Sequence, residues 1–305
     1  MERIIGRYSG DGDGPLLIVI GAMHGNEPAG VRAIELLLKM LEVEPIKNRD
    51  FSLKGNVIGL IGNYQALQSK VRFIDRDMNR CWSPDVIKST DTTIAEHQEI
   101  REVYKVIQDE IATRGSQSAV VLDLHTTSSD QGIFVIPSVD ESSLRIAKHL
   151  HAPVVLGITE GLNNTSLHFF NTENVGIHTT PVVFESGQHT EPLSVNRAIA
   201  AIINCMRTTG MVREEDVENI HDKLLIEYSK DLPRVVDLVY GHPITREDQF
   251  TMQPGYANFD PISEGEWIAN DVNGKIYSPH DGRILMPLYQ KKGEDGFFIV
   301  QETQE

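Results

Sequence analysis

LLIVIGAMHGNEP, running from Leu16 to Pro28, decides how the rest of the chain is read. Five consecutive aliphatic side chains fit a strand buried on both faces, as parallel strands are. The run then empties into His24 and Glu27, and Pro28 stands at a favourable opening position for a helix. A strand, a polar turn and a helix in that order begin a crossover unit between parallel strands.

The pattern repeats along the chain. Apolar runs predict strands at residues 16–20, 56–61, 119–124, 132–136, 154–156 and 181–184; helical periodicity predicts helices at 28–41, 97–112, 141–150 and 194–206. The expected fold class is α/β, a mixed, mostly parallel sheet flanked by helices. After about Thr209 the texture changes to an acidic helical piece at 214–228 and short strand-like pieces broken by Pro and Gly. Residues 1–209 are therefore read as the main domain and 210–305 as a smaller C-terminal β-rich, barrel-sandwich-like domain.

Composition narrows the function classes. The 305 residues are 40% hydrophobic, enough for a large core. Lys and Arg number 28 against 44 Asp and Glu, a net charge of -16 that repels phosphate backbones and anionic membrane surfaces. No nucleic-acid or membrane partner is expected, and no apolar run approaches the length of a membrane span. Cys81 and Cys205 match neither a disulfide framework nor a zinc ribbon, so a cytoplasmic protein with reduced structural thiols is expected.

In an open α/β sheet, ligands gather at the carboxyl ends of the strands. The first strand leads to His24 and Glu27, AVVLDLH ends at His125, and PVVFE ends at Glu185. One sheet brings these ends to one rim. His24, Glu27 and His125 make a two-histidine, one-carboxylate set of the kind a catalytic zinc site uses while keeping a position for water. The H-x-x-E spacing lets both side chains face one ion, with Gly25 and Asn26 accepting unusual backbone angles between them. A lone histidine at a strand end is more often hydrogen-bonded in the core; position at the rim is what singles these out. Asp123, two residues before His125, shares its side of the strand and is read as orienting the imidazole. His168, His178 and His189 are read as loop or surface histidines, and Thr126 to Ser129 as loop hydrogen bonders. No H-E-x-x-H, G-x-S-x-G or Walker A sequence is present.

HGNEP (24–28), RDMNR (76–80), DLHT (123–126) and FESG (184–187) occur in an order that resembles the aspartoacylase and succinylglutamate desuccinylase family, related to zinc carboxypeptidases. The resemblance implies one Zn2+ per chain held by His24, Glu27 and His125, with Glu185 as the catalytic glutamate. It implies Asn79 and Arg80 as the pair that holds a substrate carboxylate, and Arg72 as the arginine that polarises the scissile carbonyl. Residues 1–209 then become the zinc-dependent catalytic domain, and the partner a small N-acyl amino acid or similar molecule; homo-oligomerisation is left open.

The chemistry is consistent with those roles. Bound zinc lowers the pKa of its water toward about 7, and a carboxylate such as Glu185 takes the proton and passes it to the departing amine. An arginine counters charge developing on oxygen, and the fork of Arg80 suits a carboxylate. The bland reading of Arg72 and Arg80 is surface ion pairing with Asp75 or Asp77. The reading is a zinc-dependent deacylase; the alternatives are a zinc carboxypeptidase on short peptides, a small-ester hydrolase, and a metal-holding binding module. Another first-row metal fits the same ligands.

Two departures qualify the substrate and the second domain. Where aspartoacylases carry a further arginine before the catalytic glutamate, TENVGIHTTP (172–181) has no basic residue besides His178, which points to a substrate other than N-acyl-aspartate. GKIYSPHDGRIL (274–285) resembles a half-repeat of biotinyl and lipoyl domains, yet residues 269–273 offer no carrier lysine, so a structural or gating role is expected.

Overall fold

The run Leu16 to Ile20, each residue 0% exposed, forms the buried half of a central strand. The computed structural model describes residues 2–160 and 162–303. The chain runs β1 (Ile4–Ser9), β2 (Gly12–Gly21), α1 (Ala29–Lys47), β3 (Lys54–Ile61), α2 (Ala95–Arg114), β4 (Ser118–Thr127), β5 (Ile133–Pro137), α3 (Glu141–Lys148), β6 (Val154–Leu156), β7 (His178–Gln188), α4 (Leu193–Thr208) and α5 (Asp222–Ser229). There follow β8 (Val235–Pro243), β9 (Thr251–Met252), β10 (Pro261–Ile262), β11 (Trp267–Asp271), β12 (Gly274–Tyr277), β13 (Gly282–Leu285) and β14 (Asp295–Glu302).

An eleven-stranded sheet has the order β1-β3-β2-β4-β7-β5-β6-β8-β14-β13-β10. Its first eight strands are mostly parallel: β2 pairs with β3 and β4, β4 with β7, β5 with β6, and β6 with β8, while β1 and β5 run against β3 and β7. Alternation divides the core. Leu17 and Val19 face a cluster with α1 and α4, whereas Leu16, Ile18 and Ile20 face one containing Ile100, Val103 and Ile107 of α2. Burying each such side chain contributes about 1.5–3 kcal/mol. The fold is thus the mixed α/β arrangement expected.

The C-terminal part is β-rich and extends the same sheet, since β14 pairs antiparallel with β8 and β13 with β14. A three-stranded sheet, β12-β11-β9, lies beside it, and β11 and β12 form a hairpin. Phe134, Val155, Val236, Leu285 and Phe298 share one core cluster across the two parts. No helix among the described residues is long and apolar enough to cross a membrane.

Candidate metal centre and active site

Parallel pairing of β2, β4 and β7 places His125 opposite Glu185 in register, and Gly21 opposite Leu124. The turn after β2 therefore lies over the ends of β4 and β7. The turn is tight, and its left-handed residue is Ala22 (φ 56°) rather than Gly25 or Asn26. Gly25 serves close approach instead: a Cβ there would lie 2.0 Å from the carbonyl carbon of Ala66, and its N–H donates to the Arg72 carbonyl at 3.1 Å.

His24, Glu27 and His125 converge, with one ligand atom of each within 4.8 Å of the others. Nδ1 of His24 lies 2.8 Å from Oε1 of Glu27, and Nδ1 of His125 lies 3.1 Å from its Oε2. Each far nitrogen meets another acid: Nε2 of His24 is 3.0 Å from Asp77 Oδ1, and Nε2 of His125 is 3.1 Å from Asp123 Oδ2. Two imidazoles turned toward one carboxylate, each backed by a further carboxylate, are a donor set and outer shell suited to a divalent ion. These three residues could hold a metal.

The segment between β3 and α2 carries the arginines. Arg72 donates to Asp77 through Nε at 3.1 Å and Nη2 at 2.8 Å and reaches Glu27 at 3.4 Å, so the half-buried Arg72 pairs with a buried acid inside the site. Asp75 instead caps α2, accepting from Ala95 N–H. Glu96 of α2, 0% exposed, gathers the N–H groups of Ile74, Asp75 and Arg76 and the side-chain amide of Asn63. One buried acid thus fixes the loop that leads into Asp77, Asn79 and Arg80. Asn79 Oδ1 accepts from the Ser166 N–H at 2.8 Å, and Ser166 Oγ donates to Asp123 at 2.6 Å, linking this loop to the acid behind His125.

Charge and burial set the protonation of the cluster. Burial pushes both imidazoles down and Arg72 opposes protonation of His24, yet Asp77 and Glu27 hold His24 above its ordinary range, while Asp123 and Glu27 hold His125 well above it. Burial would raise Glu27, but the two histidines pull it well below the carboxylate range. The field that retains protons here equally favours a cation. Glu185 differs: burial, reinforced by Glu27 and opposed by His125, pushes it up to about 7, and its Oε2 has no hydrogen-bond partner among the described residues.

Two adjoining cavities of about 90 Å³ each meet at this cluster, both lined by His24, Arg72, Arg80, His125, Glu185 and Met286. One adds Thr126, Ser128 and Gln290; the other adds Asn79 with apolar Ile136, Ile158, Leu162, Leu167 and Val183. His168 and His178 are exposed. His189 is half-buried, with Nδ1 2.7 Å from Oγ1 of Thr126, whose N–H donates to Glu27.

Residues 13–207 match the succinylglutamate desuccinylase/aspartoacylase catalytic domain. The chain belongs to this family. An N-acyl-aromatic-L-amino acid amidohydrolase (carboxylate-forming) of Xenopus tropicalis is 25% identical over 289 residues, covering 86% of each chain. Among solved structures, a succinylglutamate desuccinylase/aspartoacylase from Rhodobacter sphaeroides superposes with TM-score 0.62 at 15% identity, over 98% of this chain and 88% of that one. Murine aminoacylase 3 superposes with TM-score 0.60 at 18% identity, over 95% and 96%. These similarities establish a desuccinylase/aspartoacylase fold. Within it, Glu96, Ser166 and Asp295, the partner of Arg80, belong to the site's framework and carry no local motif that would expose them: each acts on residues distant in the chain.

Proposed function

We propose that the chain is a zinc-dependent amidohydrolase that splits small N-acyl amino acids, with one Zn2+ held by His24, Glu27 and His125. The observation that carries the reading is the convergence of these three donors beside a buried glutamate, Glu185, one of whose oxygens has no hydrogen-bond partner among the described residues. His24, Glu27 and His125 would hold the zinc, which would supply an acidified water with a pKa of about 7. Glu185 receives the proton at its free Oε2 and returns one to the leaving amine. Arg72, anchored by Asp77, faces the carbonyl oxygen as negative charge develops. Asn79 and Arg80 hold the amino acid's carboxylate.

The cavity lined by Ile136, Ile158, Leu167 and Val183 lies on the Asn79 and Arg80 side, which supports an apolar amino-acid side chain. The name of the frog relative supports the same choice. A cytoplasmic location is supported by two buried thiols, Cys81 and Cys205, that form no disulfide.

Three measurements test the reading. Metal analysis of zinc-reconstituted protein should return one ion per chain, and a panel should show hydrolysis of N-acetyl-L-phenylalanine ahead of dipeptides and simple esters. Glu185→Gln should keep the metal while kcat falls about 10²–10⁴-fold. Unchanged turnover in that variant would remove Glu185 from the mechanism, and release of amino acid from dipeptides alone would make the enzyme a carboxypeptidase.

A further inference from the structure

Arg80 already holds a carboxylate. Its Nη2 donates to Oδ2 of Asp295 at 2.5 Å, its Nη1 to the carbonyl of Asn79 at 2.9 Å, and its Nε lies 3.9 Å from Oε2 of Glu294. Two of the three guanidinium nitrogens therefore already donate to groups of the protein itself, and the third lies near a second carboxylate. The pair is sheltered, with 21% of the Arg80 and 20% of the Asp295 side chain exposed, so solvent and salt weaken it less than a surface pair. Asp295 opens β14, in register with Pro243 of β8, so its carboxylate is delivered by the sheet. It lines the same cavity as His24, Glu27 and Glu185.

Of the five N–H donors of Arg80, those on Nη2 are shared with Asp295, so a ligand carboxylate that engages the fork through two parallel hydrogen bonds competes with Asp295 for that nitrogen. Once displaced, Asp295 stands with Glu294 as uncompensated negative charge beside the incoming anion. Both effects oppose binding, and a second carboxylate on the ligand adds to the repulsion. We propose that Asp295 is a specificity-determining residue, an internal carboxylate that competes with the substrate's for Arg80 and so disfavours substrates with a second acidic group. The proposal rests on the reading of Arg80 as the substrate clamp. It adds a reason, beyond the basic residue missing from 172–181, for an apolar and not an acidic amino acid to be preferred.

The test compares zinc-loaded full-length wild type with Asp295→Asn, which keeps the size and one acceptor oxygen, and Asp295→Glu, which keeps the charge. Asp295→Ser serves as a second charge-removing variant. The kinetic probes are N-acetyl-L-phenylalanine, N-acetyl-L-aspartate and N-acetyl-L-phenylalaninamide; calorimetric titration with L-phenylalanine reads carboxylate binding without turnover. In Asp295→Asn and Asp295→Ser, KM for N-acetyl-L-phenylalanine and Kd for L-phenylalanine should fall about tenfold with kcat within about twofold. The gain should be larger for the aspartate derivative and absent for the amide, and Asp295→Glu should stay near wild type. Unchanged or weaker binding of both carboxylate probes in the charge-removing variants, with only a lower melting temperature, would make Asp295 a structural tie and overturn the proposal. If the wild type hydrolyses none of the probes, the proposed function fails, while the calorimetric ratio still decides the role of Asp295. Absence of L-phenylalanine binding in every variant also overturns it.

Discussion

Glu96 shows how a residue remote from the candidate site can fix the loop that lines it. Its fully buried carboxylate accepts three consecutive backbone N–H groups of the loop that carries Arg72 and Arg80 to the cavity, and a side-chain amide besides. Glu96→Gln keeps the volume but turns an amide NH2 toward backbone donors. It should destabilise the fold by about 2 kcal/mol and, by loosening Arg72 and Arg80, raise KM for acyl amino acids more than it lowers kcat. Thermal melts and steady-state kinetics check both; an effect on stability alone would confine Glu96 to structural support. Legibility follows from the same physics. His24, Glu27, His125 and Glu185 stand out because strand ends in a parallel sheet share a rim. Glu96, Ser166 and Asp295 do not, because their meaning lies in partners 20 or more positions away: Asp75 and Arg76 for Glu96, Asn79 for Ser166, Arg80 for Asp295.

Elements tell a similar story. The strands around residues 16–20, 119–124 and 181–184 are legible since burial on both faces demands unbroken aliphatic runs. β1 escapes detection because IIGRYS is an edge strand without full burial. The helix expected from 214 starts only at Asp222, because Asp216 folds back to accept from the backbone and guanidinium of Arg213. Asp222 fastens that helix to its neighbours: its Oδ1 lies 2.8 Å from Nδ1 of His151 and accepts from Asn204 of α4 at 2.7 Å. The hydrogen bond to Asp222 raises His151 against the effect of burial; burial would raise Asp222, but His151 and Asn204 hold it below its ordinary value. A raised histidine stabilises below its unfolded pKa of about 6.5, and this contribution is lost as pH climbs through the folded value. A lowered aspartate stabilises above about 3.9, and that contribution is lost as pH drops through its folded value. The pair therefore acts most strongly between those limits. Asp222→Asn should lower the melting temperature by about 1–2 °C more at pH 5.5 than at pH 9, and a pH-independent difference would refute the coupling.

For the whole molecule, an ion held by His24, Glu27 and His125 would stabilise the fold that holds it. Glu27, Asp77, Asp123 and Glu185 are all buried around the two histidines, and a divalent charge would offset their repulsion. With free zinc at about a thousand times its Kd, binding adds about 4 kcal/mol, so chelation should lower the melting temperature by roughly 6 °C for a chain of this length. Calorimetry with and without chelator measures this, and coincident melts would count against a metal in the site. The ladder that runs from β6 through β8 to β14 carries a mechanical meaning as well. Both banks of the cleft are woven into one fabric, and Phe134, Val236 and Phe298 form a seam beneath it. Such a body is not built like a pair of jaws, because swinging one bank away would tear the weave; the mouth between the banks, where Gln290 and Met286 stand, is framed by a single continuous sheet.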